Sequence, residues 1–126
     1  MVTLKFTIDG KLPNLNDYIG AMNRNRHVGN KMKQENQQLV CWAIVNSELH
    51  QMAFRTPVQI SYHFYEPNMR RDPDNVEAFA RKVINDALQQ MGVIANDNWK
   101  GISSHSTFFD VDKEHPRIEV FITGGI

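Results

Sequence analysis

The sequence predicts an α+β fold, a small mixed β-sheet with helices packed against it. Three observations point there. Apolar residues alternate with polar ones over residues 2–8, 58–64 and 118–122, the period of half-buried strands. Residues 31–52 and 75–91 repeat instead at the spacing of a helix. The two kinds of segment interleave in the order β-α-β-α-β-β, the arrangement of a sheet covered by helices. At 126 residues the chain is expected to form one domain, 1–126, large enough to bury a core.

Each element has a local reason. Val2, Leu4, Phe6 and Ile8 alternate with Thr3, Lys5 and Thr7, and Asp9-Gly10 is a turn signal. Residues 10–16 read as irregular, with Asn14 or Asn16 able to cap a short helix running to about Met22. Residues 23–30 are polar and basic and read as a loop. The long helix expected over 31–52 contains strong helix formers and no Gly or Pro. Its apolar residues are Met32, Leu39, Val40, Ala43, Ile44 and Leu49, and Trp42 is expected near the same face. Val58, Ile60, Tyr62 and Phe64 form the next strand, and His63 on its other face reads as structural. In the second helix Val76, Ala80, Val83, Ala87 and Met91 make an apolar stripe. Asn75, Lys82, Asp86 and Gln89 make a polar one, and Gly92 suits the position past the C-cap. Residues 102–111 read as a weaker strand and 118–122 as the last, with Gly124-Gly125 as a loose tail.

Composition narrows the class. No apolar run approaches the length of a membrane span, and the N-terminus lacks the apolar block of a signal peptide. The one cysteine, Cys41, cannot form an intrachain disulfide and lies in an apolar helical pattern, so it is expected to pack rather than react. A reducing, cytoplasmic setting is expected. Formal net charge is zero, which speaks mildly against a nucleic-acid binder. The distribution is uneven, however. Arg24, Arg26, Lys31 and Lys33 crowd one segment, and Arg70 and Arg71 form another basic spot, so these six are candidate phosphate contacts.

The chemistry-bearing stretch is Arg70-Arg71-Asp72-Pro73-Asp74-Asn75. Its plainest reading is structural: Asp72 as an N-cap, Pro73 at the first helical position, Asp74 at the positive end of the helix dipole. A third carboxylate, Asp97, follows Asn96 just beyond the helix. If the chain after Gly92 folds back, Asp72, Asp74 and Asp97 are expected to share a pocket. Such a donor set suits a hard divalent cation such as Mg²⁺. A calcium loop of EF-hand type is excluded, because its glycine position holds Glu77 and its terminal glutamate position Val83. No Cys/His cluster has zinc spacing. Mg²⁺ beside arginines and a lysine would suit phosphodiester hydrolysis.

The ordered set Arg70-Arg71-Asp72-Pro73-Asp74-Asn75, Lys82, Asp86-Ala87-Leu88, Gly92-Val93-Ile94 and Asn96-Asp97 resembles the RusA family of Holliday junction resolvases. Leu12-Pro13-Asn14-Leu15-Asn16, Lys31-Met32-Lys33 and Pro116-Arg117-Ile118-Glu119-Val120 extend the resemblance over nearly the whole chain. It implies a RusA-like fold and a Mg²⁺-dependent endonuclease, with Mn²⁺ as a substitute. It implies a homodimer that places paired, symmetric nicks in four-way DNA junctions, in recombination and repair, in a bacterial or phage-infected cell. It maps the family's essential aspartates onto Asp72, Asp74 and Asp97, and its helix lysine onto Lys82. That lysine lies two turns after the Asp-x-Asp-Asn run, where the simpler family pattern has one. Asn96-Asp97 stands where an acidic pair is common. Three readings compete: an inert junction-binding protein of the same fold, a metal nuclease for another branched DNA, and a domain in which Asp72 and Asp74 only cap a helix.

Overall fold

A computed structural model describes residues Met1–Ile126. The chain runs through β1 (Val2–Asp9), α1 (Leu15–Arg24), α2 (Arg26–Val45), β2 (Arg55–Glu66), α3 (Pro73–Gln90), β3 (Ile102–Val111) and β4 (Arg117–Gly125). The fold is α+β; the short helix expected up to about Met22 is α1, and it adds one helix to the β-α-β-α-β-β order. The four strands form one sheet in the order β1-β4-β2-β3. β4 runs antiparallel to both β1 and β2, whereas β2 and β3 are parallel. Parallel neighbours need a crossover, and α3 supplies it.

One sheet face is covered by helices. Phe6 and Ile8 of β1, Ile60, Tyr62 and Phe64 of β2, and Ile118, Val120 and Ile122 of β4 all point there and are buried. The apolar stripe of α3, Val76, Ala80, Val83 and Ala87, lies in the same core. Burying a stripe of this kind is what holds such a helix, since its intrinsic propensity alone would not. Cys41 is buried as well, and burial pushes its thiol up from the ordinary value, which disfavours the reactive thiolate. No helix is long and apolar enough to cross a membrane.

The structure departs from the sequence reading at several boundaries. The expected loop over 23–30 is helical apart from Asn25. The Asn25 side chain accepts a hydrogen bond from His27 N at 2.8 Å and so starts α2 five residues early. Gly29 is a packing residue there: a Cβ would stand 2.1 Å from Met22 Sδ of α1. α2 ends at Val45 instead of near Met52. The Ser47 hydroxyl donates to Ile44 O at 2.7 Å and accepts from Leu49 N at 3.1 Å, giving the backbone a local alternative to further helix. Trp42 is 57% exposed, off the core face on which it was expected. The glycine tail is not loose. Gly124 pairs with Val2, and a Cβ on it would meet Val58 Cγ1 at 2.9 Å. Asn14 does cap α1, in a reciprocal box with Asp17.

The connection between β2 and α3 is tied down by one ion pair. Glu66, at the end of β2, is the buried charged residue of the molecule, 8% exposed. Arg71 Nε and Nη2 donate to its two carboxylate oxygens at 2.8 and 3.0 Å, and Arg71 Nη1 donates to Leu12 O at 2.7 Å. Removing one partner of so enclosed a pair leaves an uncompensated charge. Arg71→Met is therefore expected to cost about 3 kcal/mol of folding stability. The double variant Glu66→Leu/Arg71→Met is expected to recover much of that loss. Denaturant unfolding of both checks this, and a double variant as unstable as the sum of its parts would contradict it.

Candidate active site

Asp72 occupies the N-cap position of α3 with extended backbone, φ −68° and ψ 132°, and Pro73 follows it at the start of the helix. Its backbone carbonyl accepts the first helical bond, from Val76 N at 3.0 Å. Its side chain makes no capping hydrogen bond. The carboxylate is exposed rather than committed to the helix end, so the expected side-chain cap is not made. Asp74 sits in the first turn, also exposed, where the helix dipole favours negative charge.

The other carboxylate arrives by a reversal. Gly92 takes φ +74°, a left-handed conformation that glycine adopts without strain, and ends α3. Val93 and Ile94 are then buried, which turns the chain back along the helix. Asp97 Oδ2 comes to 3.9 Å from Lys82 Nζ. Lys82 Nζ also lies 3.3 Å from Asp86 Oδ1, and Asp86 Oδ2 receives Lys33 Nζ at 2.7 Å. The result is a continuous alternation of charge, Lys33, Asp86, Lys82, Asp97. Burial pushes the Asp86 carboxyl up. The hydrogen bond and charge of Lys33, and then of Lys82, outweigh burial and hold it below the usual carboxylate range. Asp86 was not among the residues singled out for chemistry. Its signal was the spacing of four from Lys82 on the polar stripe.

The Tyr62 hydroxyl donates to Asn85 Oδ1. Burial is the main reason its phenol is pushed up to about 12. The Asn85 bond and the Arg81 charge oppose the rise, and the Asp97 charge adds to it. Arg81 Nη1 lies 3.3 Å from Glu77 Oε1 and 2.6 Å from His105 Nε2 on β3. Arginine can only donate, so that ring nitrogen accepts.

Asp72, Asp74 and Asp97 are not drawn into one pocket as expected. No three His, Cys, Asp or Glu side chains come together as a group able to hold a metal ion. Eight residues separate Asp74 from Lys82, about 12 Å along the helix axis, and Lys82 in turn is held beside Asp86 and Asp97. The donor chemistry nevertheless fits Mg²⁺. All the donors are hard oxygens, and Mg²⁺ takes one or two carboxylates, keeps waters and completes its shell on substrate phosphate. Asn96 Oδ1, one residue from Asp97, is a buried acceptor with no hydrogen-bond partner, a type of ligand that hard cations accept.

The six basic residues divide. Arg24 ends α1, Arg26 begins α2, and Lys31 stands 3.8 Å from Glu35 on the outside of α2; these three and Arg70 are exposed. Lys33 and Arg71 are largely enclosed and engaged with Asp86 and Glu66. His63 is structural, as read: Nε2 lies 2.9 Å from Ser61 Oγ, and its ring packs between Phe108 and Phe121. No family model matches the chain, and no curated protein matches it significantly.

Asp86 gives a pH signature. Its folded pKa lies below its unfolded one, so its stabilisation is present above about pH 4 and is lost as pH falls through the folded value. Asp86→Asn is expected to melt below wild type at pH 7, with the gap closing toward pH 3. A gap of equal size at both pH values, in parallel thermal melts, would contradict that.

Proposed function

We propose that this chain is a Mg²⁺-dependent endonuclease that cuts four-way DNA junctions by paired nicks, acting as a homodimer. The observation that carries the reading is the return of the chain after Gly92. It sets Asp97 against Lys82 on the helix whose N-terminus bears the uncommitted Asp72 and the exposed Asp74. The ordered RusA-like motif set calls for these four residues in these roles.

Asp72 and Asp74 would take the cation at the start of α3. Asp97, which does not share their pocket in the free chain, would join them only by leaving Lys82 when cation and substrate bind, with the orphaned Asn96 carbonyl as a neutral donor one residue away. When bound, Mg²⁺ lowers the pKa of an attacking water and offsets charge on the phosphate in flight. The chain's own residues do the rest. Lys82 shares its charge between Asp86 and Asp97 in the free protein. Once Asp97 is engaged elsewhere, its ammonium is available to a phosphate oxygen or the leaving oxygen. Lys33 keeps Asp86 ionised and satisfied while that happens. Arg24, Arg26, Lys31 and Arg70 are exposed and suit the phosphates of the junction arms. Two-fold symmetry of the protein would match a substrate cut at two related places.

The test is cleavage of a synthetic four-way junction beside linear duplex, in Mg²⁺ and in chelator. Wild type is expected to nick the junction in pairs, in Mg²⁺ only. Asp74→Asn is expected to abolish cutting. Lys82→Ala is expected to slow it by about a hundredfold while leaving junction binding in place. Binding without cutting by wild type would point to an inert junction-binding protein. Neither binding nor cutting would leave the motif as a property of the fold.

A further inference from the structure

Two large apolar side chains on loops are almost fully exposed. Trp99 is 87% exposed and Met69 is 88% exposed. Each belongs to a loop that carries a candidate carboxylate. Trp99 lies two residues after Asp97, and Met69 lies three residues before Asp72. Each also has an exposed cation as its next neighbour, Lys100 and Arg70 respectively.

Both loops are internally braced. Asn98 O accepts hydrogen bonds from Gly101 N and Ile102 N, each at 2.8 Å, and Asn98 Oδ1 accepts one from Lys100 N at 2.9 Å. Gly101 is buried so tightly that a Cβ would stand 1.9 Å from Asn96 O. On the other loop, Asn68 Oδ1 accepts from Arg70 N at 3.0 Å. A braced loop loses little freedom when something docks on it, which favours binding by preorganisation.

A flat exposed indole followed in the chain by an exposed lysine matches one chemical partner well. The indole stacks on a nucleobase face, and the cation takes the adjoining phosphate. Intact duplex shows only base edges in its grooves. A base face is open only where stacking is broken, as at a branch point. We infer that Trp99, with Lys100, is a stacking contact for an unstacked base of the junction near Asp97; Met69, off the far end of the β2–β3 ladder, does not share that contact. This rests on the nuclease reading and adds to it the feature by which the substrate is told from plain duplex.

The chain has two tryptophans, so Trp42→Phe leaves Trp99 as the sole indole reporter. That variant is titrated with a four-way junction and with matched linear duplex, using Ca²⁺ in place of Mg²⁺ to hold back cutting, with binding read in parallel by gel shift. Trp99 emission is expected to be quenched by the junction and not by the duplex. Trp99→Ala is expected to weaken junction binding roughly tenfold, about the effect of one stacked base, with Trp99→Phe retaining most of the affinity. Junction binding and Mg²⁺ cleavage that both persist undiminished in Trp99→Ala would overturn the inference and leave the nuclease reading standing. Equal quenching by duplex would overturn it too. So would a concentration-dependent blue shift of Trp99 without DNA, which would mean that a second copy covers the indole. Failure of wild type to bind or cut any DNA would overturn the nuclease reading, and the inference with it.

Discussion

The Arg71 guanidinium ties the end of β2 at Glu66 and the loop into α3 to a distant segment, the carbonyl of Leu12 ahead of α1. Its planar fork makes the parallel pair of bonds to a carboxylate that lysine's single ammonium cannot. Glu66 is buried, so without this partner the end of β2 would carry an unpaired charge. The residue next to Arg71 is Asp72. The backbone of Asp72 is therefore set by a fixed neighbour on one side and by α3 on the other, while its side chain makes no capping bond. A rigid support under an unengaged carboxylate is what a site for a cation and a phosphate requires.

The second half of the site is built differently. Asp97 is delivered by a reversal at Gly92 and by the burial of Val93 and Ile94. Its charge is met from within the protein, by Lys82, which Asp86 and Lys33 hold in turn. Acidic and basic groups thus neutralise one another locally in the free chain. The zero net charge of the sequence is compatible with an exposed basic surface at Arg24, Arg26 and Lys31.

Much of this was legible in the sequence. The apolar stripe of α3, its start near Asp72-Pro73 and its stop at Gly92 follow from period and local backbone chemistry. So do the strand over Ile102–Val111 and the cap at Asn14. What was not legible depended on partners distant in sequence. Gly29 and Gly124 read as loop or tail residues, yet each is glycine because another segment, at Met22 or at Val58, approaches too closely for a Cβ. Lys33 and Arg71 read as free cations like their neighbours, and only the fold gives them Asp86 and Glu66. Asp72 shows the reverse case. Its position is that of a cap, but its side chain makes no capping bond, which no local pattern could reveal.

On the nuclease reading Asp97 leaves Lys82 on loading, so that one divalent cation is held jointly with Asp72 and Asp74. The direct measurement is a Mn²⁺ titration of the full chain with junction DNA present, read by calorimetry, for wild type and for Asp72→Asn, Asp74→Asn and Asp97→Asn. A shared site predicts that each substitution weakens the same binding event. If Asp97→Asn binds Mn²⁺ as wild type does while the other two do not, the carboxylates act separately and the joint site does not exist.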